Sequence, residues 1–145
     1  MTATSIALHG GCHCGAVAVA LHTELTPATT SPRACDCGFC RAHGASWLSD
    51  PDGRLVVRSA GPDRLRAYRQ GSRAARFLLC GDCGVLVAVV FEEDGHRYAA
   101  VNTGCLEARD AFAPAVPASP QALAPDEKTA RWRRLWMRDV RIETA

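Results

Sequence analysis

Short β-like runs rich in apolar residues alternate with turns along most of this chain. The runs are Ser5–Leu8, Ala16–His22, Gly44–Leu48, Arg54–Arg58, Leu65–Arg69, Ala75–Leu79, Val85–Phe91 and Arg97–Asn102. Each has the length and patterning of a β-strand. Asp50-Pro51-Asp52-Gly53, Gly61-Pro62-Asp63 and Asp94-Gly95 supply turns between them, which predicts several hairpins and a mainly antiparallel β fold. From Ala111 to Pro125 the pattern stops. Alanine dominates and prolines stand at 114, 117, 120 and 125, so the segment reads as a surface connection that sustains neither a helix nor a central strand. Asp126 and Glu127 then open a stretch in which Trp132, Leu135 and Trp136 recur at helical spacing, with Arg131, Arg133, Arg134 and Arg138 on the other faces. This predicts a short C-terminal helix, its aromatic stripe packing on the core, covering a substrate pocket or forming a dimer contact. Val140–Glu143 reads as one more strand.

No internal repeat and no second domain is visible, and 145 residues suit one domain, 1–145, with one hydrophobic core. Met1–Thr4 carries no basic leader region, and no apolar run approaches the roughly 18 residues needed to cross a bilayer. A soluble, cytoplasmic protein with reduced thiols is therefore expected, without a membrane partner. A net charge of +2 disfavours nucleic acid as a partner. Lys128 is the only lysine. Arginine suits carboxylates through its planar fork, but an arginine-rich composition makes only those beside chemically distinctive residues informative.

The cysteines are distinctive. Seven of the eight fall into three clusters: Cys12-His13-Cys14, Cys35-Asp36-Cys37-Gly38-Phe39-Cys40 and Cys80-Gly81-Asp82-Cys83. Neighbours one or two residues apart are strained disulfide partners but natural metal ligands, because the intervening turn directs both sulfurs at one ion. Cys12 and Cys14, followed by Gly15, and Cys80 and Cys83, followed by Gly84, have the form of two knuckle turns. Together they offer a closed tetrahedral zinc set with a structural role. Cys35, Cys37 and Cys40 supply three ligands for a second zinc, one short of a tetrahedron, as reactive zinc sites require. His43 and Cys105 are the in-chain candidates for the fourth position. His43 could equally orient a substrate or face solvent, and Cys105 reads as a buried apolar residue. Iron–sulfur ligation is the competing metal reading, and the division into four and three favours zinc.

Gly10-Gly11-Cys12-His13-Cys14-Gly15-Ala16-Val17, Cys35-x-Cys37-x-x-Cys40-Arg41, Phe77 leading to Cys80-Gly81-Asp82-Cys83-Gly84, and Val101-Asn102-Thr103-Gly104-Cys105-Leu106 together resemble the glutathione-dependent formaldehyde-activating enzyme and centromere protein V family. The resemblance covers about residues 8–110. It implies a zinc-stapled β-tent with a structural zinc on Cys12, Cys14, Cys80 and Cys83 and a reactive zinc on Cys35, Cys37 and Cys40. It also implies a carbon–sulfur lyase joining a small thiol such as glutathione to a small aldehyde such as formaldehyde, giving an S-hydroxymethyl adduct. A non-enzymatic zinc β module that binds a protein or a small thiol is the alternative. Arg33, Arg41, Arg73 and Arg76 are candidates to hold the glutathione carboxylates. Asp36 and Gly38 stand where the family commonly has histidine and serine, and the segment after Ala111, with its C-terminal part 126–145 read as an appendage, has no counterpart in the resemblance.

Overall fold

The computed structural model describes residues 6–145, so Ser5, the first residue of the first predicted strand, lies outside the described residues. Eleven strands follow in chain order. They are β1 (Ile6–Gly11), β2 (Val17–Thr23), β3 (Arg33–Cys35), β4 (Trp47–Leu48), β5 (Arg54–Ser59) and β6 (Leu65–Tyr68), then β7 (Ala75–Cys80), β8 (Leu86–Glu93), β9 (His96–Asn102), β10 (Val116–Ala118) and β11 (Asp139–Thr144). The helices are α1 (Gly38–His43) and α2 (Pro125–Leu135). The strands form a four-stranded sheet ordered β1-β2-β5-β11 and a seven-stranded sheet ordered β10-β3-β4-β9-β8-β7-β6.

Strands β2 and β5 alternate buried and more exposed residues, as expected where one face packs and the other meets water. Their inward residues Val17, Val19, Leu21, Leu55 and Val57 meet Leu78, Val87, Val90 and Val101 of the larger sheet. Strand β8 behaves differently, being buried from Leu86 through Phe91. Both of its faces are covered. Val87 and Val90 face the small sheet, while Leu86, Val89 and Phe91 join a second cluster with Trp47, Phe77 and Trp136, against which Phe39 of α1 and Trp132 of α2 pack. The molecule thus has three layers, and the outer one, helices over the large sheet, carries the chemistry described below.

The mainly antiparallel expectation holds for most strand pairs, but two are parallel, β10 with β3 and β11 with β5. Both come from the C-terminal third, which returns to each sheet through a crossover instead of a hairpin. The Ala/Pro segment is more than a surface connection. It contains β10, with Pro117 tolerated because the strand is the sheet's edge, and Pro125 is the first residue of α2, where no backbone N–H is needed. The strand expected from Gly44 begins only at Trp47, since Gly44 is the left-handed cap of α1 (φ 62°). Glu127 accepts the Ala124 N–H at 2.9 Å, opening α2, and Arg133 ties the helix to Glu93 of β8 at 2.6 Å.

Within residues 126–145, Trp136 and Met137 are buried in the core, while α2 itself carries no fully buried residue. Beyond α2, Met137 exchanges two backbone hydrogen bonds with Ala99 at 2.9 and 3.0 Å, its sulfur accepts the Asp50 N–H at 3.1 Å, and its side chain is fully buried. Met137→Ala should destabilise the fold by about 2–5 kcal/mol. Urea unfolding checks this, and a midpoint equal to wild type would show that the C-terminal segment contributes nothing to the core.

Candidate functional site

The β1–β2 turn presents Cys12 and Cys14, while β7 ends on Cys80 and the following turn carries Cys83. All four sulfurs lie within 4.8 Å of one another. Two separations are resolved as contacts, Cys12 to Cys14 at 3.7 Å and Cys14 to Cys80 at 3.6 Å. These are far too long for a disulfide but match the edge of about 3.8 Å in a tetrahedron of sulfurs bound at about 2.3 Å. Gly15 and Gly84 close the two turns at φ 85° and 79°, the left-handed region a side chain avoids. Backbone amides point at the sulfurs: Val17 N–H to Cys12 at 3.2 Å, Asp82 and Cys83 N–H to Cys80 at 3.4 Å. Such donors favour thiolate, and the Val85 amide foremost among them holds the Cys83 thiol down at about 6. The donor set fits a metal ion, which four sulfurs would close off from further ligands.

The second set forms where β3 runs into α1. Cys35 ends the strand, Cys37 caps the helix by accepting the Cys40 N–H at 3.4 Å, and Cys40 sits buried in its first turn. The three sulfurs lie within 4.8 Å of one another. Trp47 Nε1–H donates to Cys40 at 3.4 Å and Gln70 Nε2 reaches Cys37 at 3.9 Å. A hydrogen bond from Cys40 is the main cause that brings the Cys35 thiol down to about 6, while Cys40, as the donor, is held up. Among the described residues no fourth histidine, cysteine or carboxylate joins them. The segment does turn helically as the His43 reading required, yet the His43 ring packs on Phe39 with centroids 4.7 Å apart. Cys105 is buried elsewhere, donating to the Leu86 carbonyl at 3.1 Å, and burial raises its thiol to about 11.

These three cysteines line a cavity of about 200 Å³. Its walls are apolar, formed by Trp47, Phe77, Trp132 and Trp136, and Arg33, Lys128 and Arg131 bring three cations to it. Among the described residues no acidic one lines it. Of the four arginines proposed from sequence, Arg33 alone lines the cavity, where it donates to Ser49 Oγ. Burial, and then the charge of Arg131, lower the Arg33 pKa. Arg41 and Arg73 are exposed and lie outside the lining, and Arg76 pairs with Glu92 on the neighbouring strand. Lys128, Arg131 and Gln70 went unrecognised in the sequence. The one available signal was the spacing of Lys128, Arg131, Trp132 and Trp136, which puts them on one helix face. Asp36 holds the cavity's edge by accepting from Ser119 Oγ at 2.6 Å and from Gln121 Nε2 at 3.0 Å.

Fold and site together define a mainly β protein that pairs a closed four-sulfur set with a three-sulfur set opening on a cationic cavity. Comparison with known proteins names the class: the chain belongs to the glutathione-dependent formaldehyde-activating enzyme family, whose model matches residues 7–119. The match reaches past the 8–110 inferred from the motifs and ends just before α2. A crystal structure of a Rhodobacter sphaeroides protein is similar, with 32% identity and a TM-score of 0.54, over 75% of this chain and 97% of that one. No curated protein matches the chain. Among the described residues no helix is long and apolar enough to cross a membrane.

Proposed function

We propose that this chain is a zinc-stapled β-tent enzyme of the cytoplasm, a carbon–sulfur lyase that joins glutathione to formaldehyde as S-hydroxymethylglutathione. The observation that carries the reading is the placement of three mutually close thiols, with no fourth protein ligand among the described residues, in the wall of a cationic, apolar-walled cavity. Cys12, Cys14, Cys80 and Cys83 would hold a structural zinc, and Cys35, Cys37 and Cys40 a second one. A zinc on the second set supplies a Lewis acid that lowers the pKa of an incoming thiol, so that it is a thiolate at neutral pH.

The chain's own residues do the rest. Arg33, in the cavity wall beside the three cysteines, binds a carboxylate of the thiol substrate through charge-assisted hydrogen bonds and so orients its sulfur toward them. Trp47, Trp132 and Trp136 exclude water around it and strengthen those charge interactions. Gln70, donating to Cys37, tempers the charge of the thiolate set. The new bond runs from the sulfur to the carbonyl carbon, and the proton lost by the thiol ends on the former carbonyl oxygen. No electrons are exchanged with a third party.

Two-dimensional exchange NMR of formaldehyde with glutathione tests this. In protein carrying two zinc ions per chain by elemental analysis, exchange between hydrated formaldehyde and the S-hydroxymethyl adduct should run clearly faster than the spontaneous reaction. Fully metallated protein that leaves the spontaneous rate unchanged sinks the reading.

A further inference from the structure

The family match ends at residue 119, yet α2, which begins at Pro125, contributes two of the three cations that line the cavity. We propose that α2 is the carboxylate-recognition element of this site: Lys128 and Arg131, facing Arg33, select an anionic, carboxylate-bearing thiol over a neutral one. The inference rests on the proposed site and deepens it by assigning substrate selectivity to a segment outside the family match.

The placement is fixed by packing. Lys128, Arg131 and Trp132 are three and four residues apart, so they share a face of the helix. Trp132 anchors that face, with its ring centroid 4.9 Å from Trp136 and 5.3 Å from Phe91. Lys128 and Arg131 are half-buried as a result.

Pairing is the second observation. Arg133, on the same helix, is bonded to Glu93, and Arg76 to Glu92, so acidic partners are used where they exist. Among the described residues none of Arg33, Lys128 and Arg131 forms a salt bridge, and no carboxylate lines their cavity. Three like charges round an apolar-walled cavity repel one another more strongly than they would in water. An anion relieves that repulsion. A carboxylate suits the two arginines in particular, because each guanidinium can bind both of its oxygens.

The three tryptophans of the chain are Trp47, Trp132 and Trp136, and all line the cavity, so intrinsic fluorescence reports on this site. Intact protein would be titrated with S-methylglutathione and with its diamide, in which both carboxylates are neutral. The acid should bind saturably, and the diamide on the order of tenfold more weakly. Arg131→Gln and Lys128→Gln should each weaken the acid by about tenfold while leaving the diamide unchanged, and Arg131→Lys should recover part of the loss. Near-UV circular dichroism establishes that the variants are folded. Equal binding of acid and diamide by wild type, an equal loss of both in the variants, or no saturable change overturns the proposal. So does displacement by inorganic phosphate at concentrations matching S-methylglutathione. The probe has no free thiol and no aldehyde is present. Carboxylate selectivity without formaldehyde exchange would therefore remove the lyase reading alone, and exchange without selectivity would remove this proposal alone.

Discussion

Cys80→Ser should yield a chain that is largely unfolded at physiological temperature, although it changes one atom. Cys80 is buried at the end of β7, and its sulfur lies 3.6 Å from that of Cys14, 66 residues away in sequence. A cross-link spanning such a separation removes about 4 kcal/mol of conformational entropy from the unfolded chain. Domains have only about 5–15 kcal/mol in hand. The loss is compounded because the β1–β2 hairpin then keeps only its apolar contacts to the larger sheet and the backbone pairing of His9 and Gly10 with Leu106 and Glu107, while three thiols would remain crowded without an ion to hold them. Chelation of wild type should reproduce the effect. Cys105→Ser is the control, the same exchange at a buried cysteine outside both sets. It keeps its hydrogen bond to Leu86 and should cost on the order of 1 kcal/mol. Near-UV circular dichroism and a thermal melt decide the matter, and a Cys80→Ser protein that melts with wild type would show that the four-sulfur set does not hold the fold.

The partition of the cysteines was legible because metal ligation is written locally: a knuckle needs two cysteines, a turn between them and a glycine behind, all within a few residues. Strands with one buried face were legible for the same reason, since β2 and β5 carry their alternation in their own residues. Non-local pairing was not. Nothing in Val140–Glu143 says that it lies parallel to β5, or that the Ala/Pro segment would set an edge strand beside β3. Helix α1 has only six residues and takes its start from the capping sulfur of Cys37, so it offers no periodicity to read. The cations of α2 show the limit most clearly. Lys128 and Arg131 match the solvated face of any amphipathic helix, and only the docking of Trp132 and Trp136 on the large sheet turns them toward the cavity. Arg76 erred in the opposite sense, close to Cys80 in sequence but committed to Glu92 across the sheet.

Cys37→Ser should abolish the acceleration of adduct formation while sparing the fold, which makes it the sharper test of the three-sulfur set. Cys37 has two roles. Its sulfur is one of three proposed zinc ligands, and it also caps α1 by accepting the Cys40 N–H. Serine retains the second role, being a better cap than cysteine, so stability should stay within about 1 kcal/mol of wild type. It fails at the first, since a neutral hydroxyl is a poor substitute for a thiolate and two sulfurs do not hold the ion. The bound zinc should drop from two per chain to one. The catalysed rate should fall on the order of 100-fold or more, beyond the cost of removing an outer-shell partner of a ligand. Cys40→Ser is less clean, because Cys40 is buried and accepts the Trp47 indole N–H, so its loss also disturbs the cavity wall. Exchange NMR with parallel zinc analysis and melting separates the possibilities. A Cys37→Ser protein with one zinc, a native melt and wild-type exchange would place the reaction somewhere other than on the three cysteines.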